Sequence, residues 1–556
     1  MMEKSKNRII DIFICFVITI MCLCSFISNG ISVGHDLTFH LNRFAGLANA
    51  FEEKQILPKI YPYMNNGFGY ASPLFYCDLF LYPFAIMYHF GLSAVWCYKL
   101  CVLFYTLLGN LFTFYIFKKE TNSRLLATIA TVLYSTAVYH LENILVRCAL
   151  GEILAMTFIP LVLYAIYRIL IKHNDCWIIL GISFSLLVMA HLITTLLYGI
   201  FFFVMIVAFI FINRKDAFLI KKTLITILKG TLLAVLITTW YLLPMLEQLH
   251  SQTFWLDINS KQNQLYSVFN GFGDFFVLLS NEFVPSSGLI LIVLGVSYAF
   301  VKKNKYINII LIYCVTCYLI IYGIIPANFL NVIQFYFRLN VIIFPLFVVV
   351  SAYVLLNIKN NKTLIALVAV ISLSTAVISN IKINNNVEFY LKNDATLDEI
   401  NNVLNFKYDL DYNHDELGGA EYLPYTEYLN YNNDSLAIKC RDDNGQVIDY
   451  IYEYDRNFST IIFSCDNEKD MELILPLSWY KGYGTYELVD DNWVEIGCTY
   501  DTVFKEVLIN ANEGSHTYKV TYKGTKLQYI SLGISAVSLV ALVIYSIKRR
   551  NKCDVI

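Results

Sequence analysis

Residues 193–212 read ITTLLYGIFFFVMIVAFIFI, and Asn213, Arg214 and Lys215 follow directly. No charged side chain interrupts the run. A helix of this length rises about 30 Å, the thickness of the hydrocarbon core of a bilayer. The stretch therefore reads as a membrane span closed by basic residues, and it sets the frame for the rest of the chain. Further apolar runs lie at about 9–28, 96–117, 125–139, 153–171, 177–191, 223–246, 285–301, 306–324, 339–356, 363–379 and 529–547. Together they predict a polytopic α-helical membrane protein of about 12 spans. The 177–212 stretch is nearly continuous, and two short spans or one re-entrant unit both fit it.

Composition agrees with this frame. The 556 residues are 57% hydrophobic and 15% charged, with mean hydropathy +0.55. A soluble chain of this length needs more polar surface. The 41 Tyr and 40 Phe fit aromatic belts at the two membrane surfaces. A formal net charge of −2 argues against nucleic acid as a partner, because phosphate-backbone binders carry a basic excess. Most cysteines stand in apolar stretches, where Cys behaves as a small hydrophobe. Cys314 and Cys317 form a CxxC inside an apolar helix, a poor setting for zinc or redox chemistry. Cys440, Cys465 and Cys498 lie in the polar C-terminal region and allow at most one bridge.

Basic residues orient the spans. Lys4, Lys6 and Arg8 precede the first run, which resembles a signal peptide. It is about 20 residues long, the length of a span, and no A-x-A site follows, so a retained first span is expected. With the N-terminus cytoplasmic, one set of loops holds Lys118, Lys119 and Arg124; Lys172; Arg214, Lys215, Lys221 and Lys222; Lys302, Lys303 and Lys305; and Lys359 and Lys362. The tail adds Lys548, Arg549, Arg550 and Lys552. Both termini are thus expected inside. Three segments fall outside: a first loop at 29–95, a middle loop at about 247–285 and a polar segment at 380–528. Short alternating stretches at 437–439, 447–452 and 460–463, with a turn at Asp443-Asn444-Gly445, make the last one mainly β. A helix is expected near Thr396–Asn405. The expected domains are a membrane core at 1–379, an extracytoplasmic β-rich domain at 380–528, and a final helix with a basic tail at 529–556.

The first outer loop opens Gly34-His35-Asp36-Leu37-Thr38-Phe39-His40-Leu41-Asn42-Arg43. In a helix starting near Asp36, a step of about 100° per residue places Asp36, His40 and Arg43 within about 60° of one another. Leu37, Leu41, Phe44, Ala48 and Phe51 form a neighbouring apolar face. The expectation is an amphipathic helix on the membrane surface, offering an acid, an imidazole and a guanidinium together. Such a set suits general-base work on a hydroxyl acceptor, with a cation steadying a phosphate leaving group. The same spacing also fits Asp36 as a plain helix N-cap. Farther on, the Gly/Pro/aromatic mixture at 57–76, including Tyr70, implies an ordered, turn-rich loop. Residues 74–90 are apolar enough to span, but Asp78 and the alternation of charge favour an interfacial or re-entrant position.

The runs at 34–44, Leu57-Pro58-Lys59-Ile60 and 66–76 resemble the bacterial YfhO-type membrane proteins and the overlapping 6-pyruvoyl-tetrahydropterin synthase-related family. The resemblance extends through Arg147–Glu152, His191-Leu192, Trp240–Pro244, Gln334–Arg338, Glu421–Pro424 and Trp479–Gly482. Such proteins are similar to the GT-C glycosyltransferase superfamily. The resemblance implies a GT-C-like core, a polyprenyl-phosphate-linked sugar as donor and a cell-envelope polymer such as teichoic acid as acceptor. It also implies Asp36 as catalytic base in a bacterial cell membrane. A paired acidic motif is lacking, since one acid stands here after His35; a divalent cation is left open and no other cofactor is implied. The candidate catalytic set is Asp36, His35 and His40, and no metal ligands are assigned. The candidate substrate-binding set is Arg43, Arg147, Glu152, Arg338 and Tyr70.

Ionisable residues near spans are functional suspects. Arg147 and Glu152, five residues apart, also fit simple mutual pairing. Arg338 fits either a lipid-phosphate contact or a snorkelling arginine. His191 fits a hydrogen-bonded core residue, and Glu247 and His250 a solvated loop edge. Two rival functions stand beside glycosyl transfer: a transporter or flippase of a lipid-linked precursor, and a non-catalytic scaffold of envelope assembly.

Overall fold

Each of the apolar runs carries a helix in the computed structural model, which describes residues 2–257, 286–327, 332–358, 362–385, 390–400, 421–426, 435–442 and 445–553. The helices are α1 (Met2–Cys22), α2 (Leu37–Glu52), α3 (Ala94–Thr121), α4 (Arg124–Ser135), α5 (Val138–Glu142, continued by a π-turn over Asn143–Arg147), α6 (Leu150–Leu170), α7 (Trp177–Ala190) and α8 (Leu192–Ile212). They continue with α9 (Ala217–Leu249), α10 (Leu289–Val296), α11 (Lys305–Ile321), α12 (Asn340–Asn357), α13 (Lys362–Asn385) and α14 (Lys526–Cys553). Among the described residues, seven helices are long and apolar enough to cross a membrane, or eight if α4 and α5, bent by 51° at their break, make one span. By that measure the exact count of 12 is not confirmed among the described residues. Helices α7, α10 and α11 are apolar but short, and α1 carries Lys4, Lys6, Arg8 and Asp11 in its first half. Residues 74–90 form two short helices, Ser72–Phe75 and Tyr82–His89, in place of a span. The 177–212 stretch is two helices that break at His191.

The chain divides into two compact units. The first comprises residues 1–41, 92–235 and 263–412, the second residues 42–91, 236–262 and 413–556.

In the first unit, small and polar side chains hold the helices together. An alanine Cβ at Gly109 of α3 would lie 3.2 Å from the Cα of Thr157 in α6, and the Thr157 hydroxyl donates to the Tyr105 carbonyl at 3.1 Å. Close backbone approach with hydroxyl bonds is the usual glue where apolar burial gives no net drive. The Asn110 amide donates to Thr19 of α1 at 2.9 Å and its oxygen accepts from Ser135 of α4. Asp11, fully buried, is paired with Arg124 at 2.8 Å and with Lys118. Two short strands, β1 (Gly30–Ser32) and β2 (Tyr390–Lys392), pair antiparallel. Lys99 fastens them by donating to the Ser28 carbonyl at 2.9 Å and to Asn393 Oδ1 at 2.7 Å. The helix expected near Thr396 begins there with a reciprocal cap: Thr396 N–H donates to Glu399 Oε2 at 2.8 Å and Glu399 N–H to Thr396 Oγ1 at 3.3 Å. Its continuation lies outside the described residues, as does most of the middle loop.

The second unit contains two five-stranded sheets with every pairing antiparallel. The strands are β3 (Ile438–Arg441), β4 (Val447–Ile451), β5 (Asp455–Asn457), β6 (Thr460–Asn467), β7 (Met471–Ser478), β8 (Tyr483–Val489), β9 (Asn492–Ile496), β10 (Thr499–Tyr500), β11 (Glu506–Ala511) and β12 (Gly514–Tyr522). Their orders are β10-β11-β7-β3-β4 and β5-β6-β12-β8-β9. The three alternating stretches expected as strands fall on β3, β4 and β6. Cys440, Cys465 and Cys498 are all free thiols. Gln248, near the end of α9, copies a β-ladder with its side chain: Nε2 donates to the Lys481 carbonyl at 2.6 Å and Oε1 accepts from Lys481 N–H at 3.1 Å. In the same unit Asn65, Asn66 and Gly67 run through the left-handed region with φ of 56°, 51° and 91°, a conformation that Asn and Gly tolerate best.

Candidate functional site

Helix α2 is not a surface helix. Leu37, Thr38, Phe39, His40, Leu41, Arg43 and Phe44 are all buried, so both its apolar and its polar faces are enclosed. Its first turn is docked through the backbone. Asp36 N–H donates to the Arg147 carbonyl at 2.9 Å, and the Asp36 carbonyl accepts from His40 N–H at 3.2 Å. Gly34 makes that approach possible: a Cβ there would lie 2.5 Å from Cys148 Sγ and 2.6 Å from the Val146 carbonyl oxygen. Asp36 is half-buried and His35 exposed. His40 Nε2 accepts the Leu150 N–H at 3.2 Å. It thereby caps the start of α6, one of the helix ends that has no intrahelical partner. An accepting Nε2 places the imidazole proton of a neutral His40 on Nδ1.

Arg147 leads from this turn to a buried charge cluster. Its Nη1 lies 2.9 Å from Glu152 Oε1 and donates to Asn143 Oδ1 at 2.6 Å. Tyr139 donates its hydroxyl to Glu152 Oε2 at 2.7 Å. Arg338, from a turn before α12, brings Nε to 3.3 Å from Glu152 Oε1. That contact is off the hydrogen-bond direction, and among the described residues this buried Nε–H has no hydrogen-bond partner. Arg338 Nη1 is held by the Ile333 carbonyl at 3.0 Å and by Gln334 Oε1. Glu152 formally balances one of the two guanidiniums. The other leaves a positive charge for the acid on the Asp36 turn or for a bound anion.

The backbone around the cluster is unusual. Asn143–Arg147 form a π-turn, and Cys148 and Gln334 take φ of 54° and 64°. Left-handed non-glycine residues and π-turns cost energy that the surrounding structure must offset, and they recur at functional sites. His191 stands at the break between α7 and α8, where its Nδ1 accepts the Thr194 N–H at 3.3 Å. It serves as the N-cap of α8. Gly151 keeps the start of α6 open beside it, for a Cβ there would be 3.1 Å from His191 Cδ2.

A profile for the 6-pyruvoyl-tetrahydropterin synthase related domain, described as a membrane protein, matches residues 74–387, more than half of the chain. The chain belongs to this family. It is accordingly a membrane protein. Family membership covers α3 through α13, and with them Arg147, Glu152 and Arg338. A Lactococcus lactis subsp. cremoris protein described as uncharacterized is 24% identical over 259 residues, which cover 45% of this chain and 42% of that relative. Among solved structures, the arabinofuranosyltransferase AftD from Mycobacteria is similar with a TM-score of 0.43 and 15% identity. The match covers 72% of this chain and 28% of AftD. The chain thus matches well under two thirds of either protein.

Two of the expected binding residues belong to the second unit and have partners there. Arg43 Nε donates to Asp78 Oδ1 at 2.9 Å, and Tyr61 donates its hydroxyl to Asp78 Oδ2 at 2.5 Å. Burial, and then Asp78, push the Tyr61 phenol well above its ordinary range. Tyr70 accepts the Tyr422 N–H at 3.4 Å, and burial first and Glu421 second raise its phenol likewise. Both phenols stay protonated and act as donors or acceptors, not as bases. Among the described residues no group of three or more His, Cys, Asp or Glu side chains is placed to hold a metal ion.

Sequence reasoning missed Tyr139, Asn143, Tyr61 and the role of Asp78. Asp78 gave a usable signal: an acid in an apolar stretch needs a cation or a hydroxyl. Tyr139 gave none, because a tyrosine in an apolar run reads as belt or core.

Proposed function

We propose that the chain is a membrane glycosyltransferase. It moves a sugar from a polyprenyl-phosphate-sugar donor to a cell-envelope acceptor on the outer face of the cytoplasmic membrane, with both termini inside. The Asp36 carboxylate takes the proton of the acceptor hydroxyl. The acceptor oxygen bonds to the anomeric carbon as that carbon's bond to the phosphate oxygen breaks. The polyprenyl phosphate leaves with the electron pair, and Arg147 and Arg338 face its charge. Inversion at the anomeric carbon follows from direct displacement.

One observation carries this reading. The backbone bond from Asp36 to Arg147 ties the acid-bearing turn to the residue that begins the two-guanidinium cluster. The orphaned Arg338 Nε–H supplies a donor for an anion. Family membership supports the membrane setting.

The test is turnover of an undecaprenyl-phosphate-linked hexose by purified protein, wild type against Asp36→Asn. Asn matches Asp in size and suits the start of a helix equally well, so this change removes the base and keeps the shape. We expect turnover to fall about 10²–10⁴-fold with an unchanged melting temperature. Equal sugar release by both proteins would overturn the assignment of Asp36. Binding of the donor by wild type without any turnover would favour a lipid-precursor transporter instead.

A further inference from the structure

The second unit contains a cavity of about 210 Å³, bounded by Lys59, Trp240, Tyr522, Lys523, Gln528 and Leu532 among others. That is several times the share of volume one water takes in the liquid, about 30 Å³. The walls differ in kind. Trp240 and Leu532 come from α9 and α14, both long and apolar enough to cross a membrane. Tyr522, Lys523 and Gly524 come from the end of β12 and the short link into α14. The cavity therefore stands where a span leaves the sheet and enters apolar surroundings.

Most of its polar atoms are already used. Gln528 Nε2 donates to the Tyr522 hydroxyl at 2.8 Å, and that hydroxyl donates to the Lys481 carbonyl at 3.1 Å. Tyr529 donates to the Lys523 carbonyl at 2.6 Å, and Lys523 is paired with Glu495. Lys59 differs. Its ammonium lies 5.7 Å from the Trp240 ring centroid, and among the described residues it makes no hydrogen bond or ion pair. A cation over a Trp face gains part of what a counter-ion would give. Burial lowers the affinity of Lys59 for its proton, opposed by Cys77 and Asp78. Asp78 is itself held by Arg43 and Tyr61. A half-buried cation beside an apolar wall matches an anionic head joined to a hydrocarbon tail.

We propose that this cavity binds the phosphate headgroup of an anionic membrane lipid, with Lys59 as the charged contact and the Trp240–Leu532 side against the chains. The site does not depend on the glycosyl-transfer reading. A protein without transferase activity that holds the lipid through Lys59 would sustain it.

Native mass spectrometry of the full chain, released from detergent, tests it with three probes: dioleoylphosphatidic acid, dioleoylglycerol and inorganic phosphate. Wild type is expected to retain phosphatidic acid and not dioleoylglycerol. Lys59→Gln should weaken retention by about tenfold or more, the size expected for one charged hydrogen bond. Lys59→Arg should retain it, which separates lost charge from lost fold. Lys481→Gln, an equal loss of charge outside the cavity, should leave it unchanged. Phosphatidic acid held equally by Lys59→Gln, or dioleoylglycerol held as well as phosphatidic acid, would overturn the site. Displacement by inorganic phosphate at matching concentration would overturn the lipid assignment.

Discussion

Glu152 receives a guanidinium from five residues away and another from 186 residues away, together with a tyrosine hydroxyl. Glu152→Gln keeps the shape and removes the charge, leaving two buried guanidiniums facing a neutral amide. Breaking a buried pair from one side costs about 3–5 kcal/mol. The expected outcome is a clear drop in the thermal midpoint of the detergent-solubilised protein, and an unchanged midpoint would show the pair to be dispensable. The sequence allowed this pairing for Arg147 and Glu152, because their separation brings two side chains together across a helix start. Arg338 offered no such cue: a long-range partner leaves no spacing to read. Arg43 teaches the same lesson from the other side. Its expected neighbours lay along its own helix, yet its carboxylate is Asp78, and nothing local announces a partner 35 residues on.

At the scale of elements, apolar runs located the helices because burial in lipid or protein needs unbroken apolar length. They failed where the burial of a helix is decided by its surroundings. Helix α2 has the alternation of a surface helix and is enclosed all the same, since His40 and Arg43 find buried partners. Its docking rests on Gly34. Gly34→Ala would drive a methyl group against Cys148 and the Val146 carbonyl. Overpacking of this kind costs about 1–3 kcal/mol, and here the strain falls on the turn that holds Asp36. Donor turnover should fall more than stability does, measured as kcat beside the thermal midpoint; full turnover would show that the turn tolerates displacement.

The β sheets carry a separate, pH-dependent contact. His516 of β12 lies 2.5 Å from Glu487 of β8 through Nδ1. The Glu513 carbonyl first, and Glu487 second, raise the affinity of His516 for its proton in the folded state. A raised histidine value stabilises fully below the unfolded value, about 6.5, and the gain is lost as pH rises through the folded value. The melting-temperature difference between wild type and His516→Gln should be largest below about pH 6.5 and vanish at higher pH. A difference that grows with pH would contradict the sign.

For the molecule as a whole, the charge alternation along the sequence makes a prediction of sidedness. Epitopes at either terminus should resist protease in intact cells and be cut in inverted vesicles, while the β sheets show the reverse. Cleavage of either terminal epitope in intact cells would overturn the orientation. What the sequence could not show is the grouping of distant segments. Residues 42–91 share a compact unit with the C-terminal sheets, and composition carries no trace of such recruitment. The pairing of β1 with β2 has a consequence in time. Strand β1 ends at Ser32 and its partner begins at Tyr390, so a ribosome must add some 360 residues before the two can meet. At about 5–20 residues per second, that interval is roughly 20–70 s. Throughout it the stretch just ahead of Asp36 lacks its partner strand, and a nascent chain holds the acid-bearing turn without the clasp that the finished protein gives it.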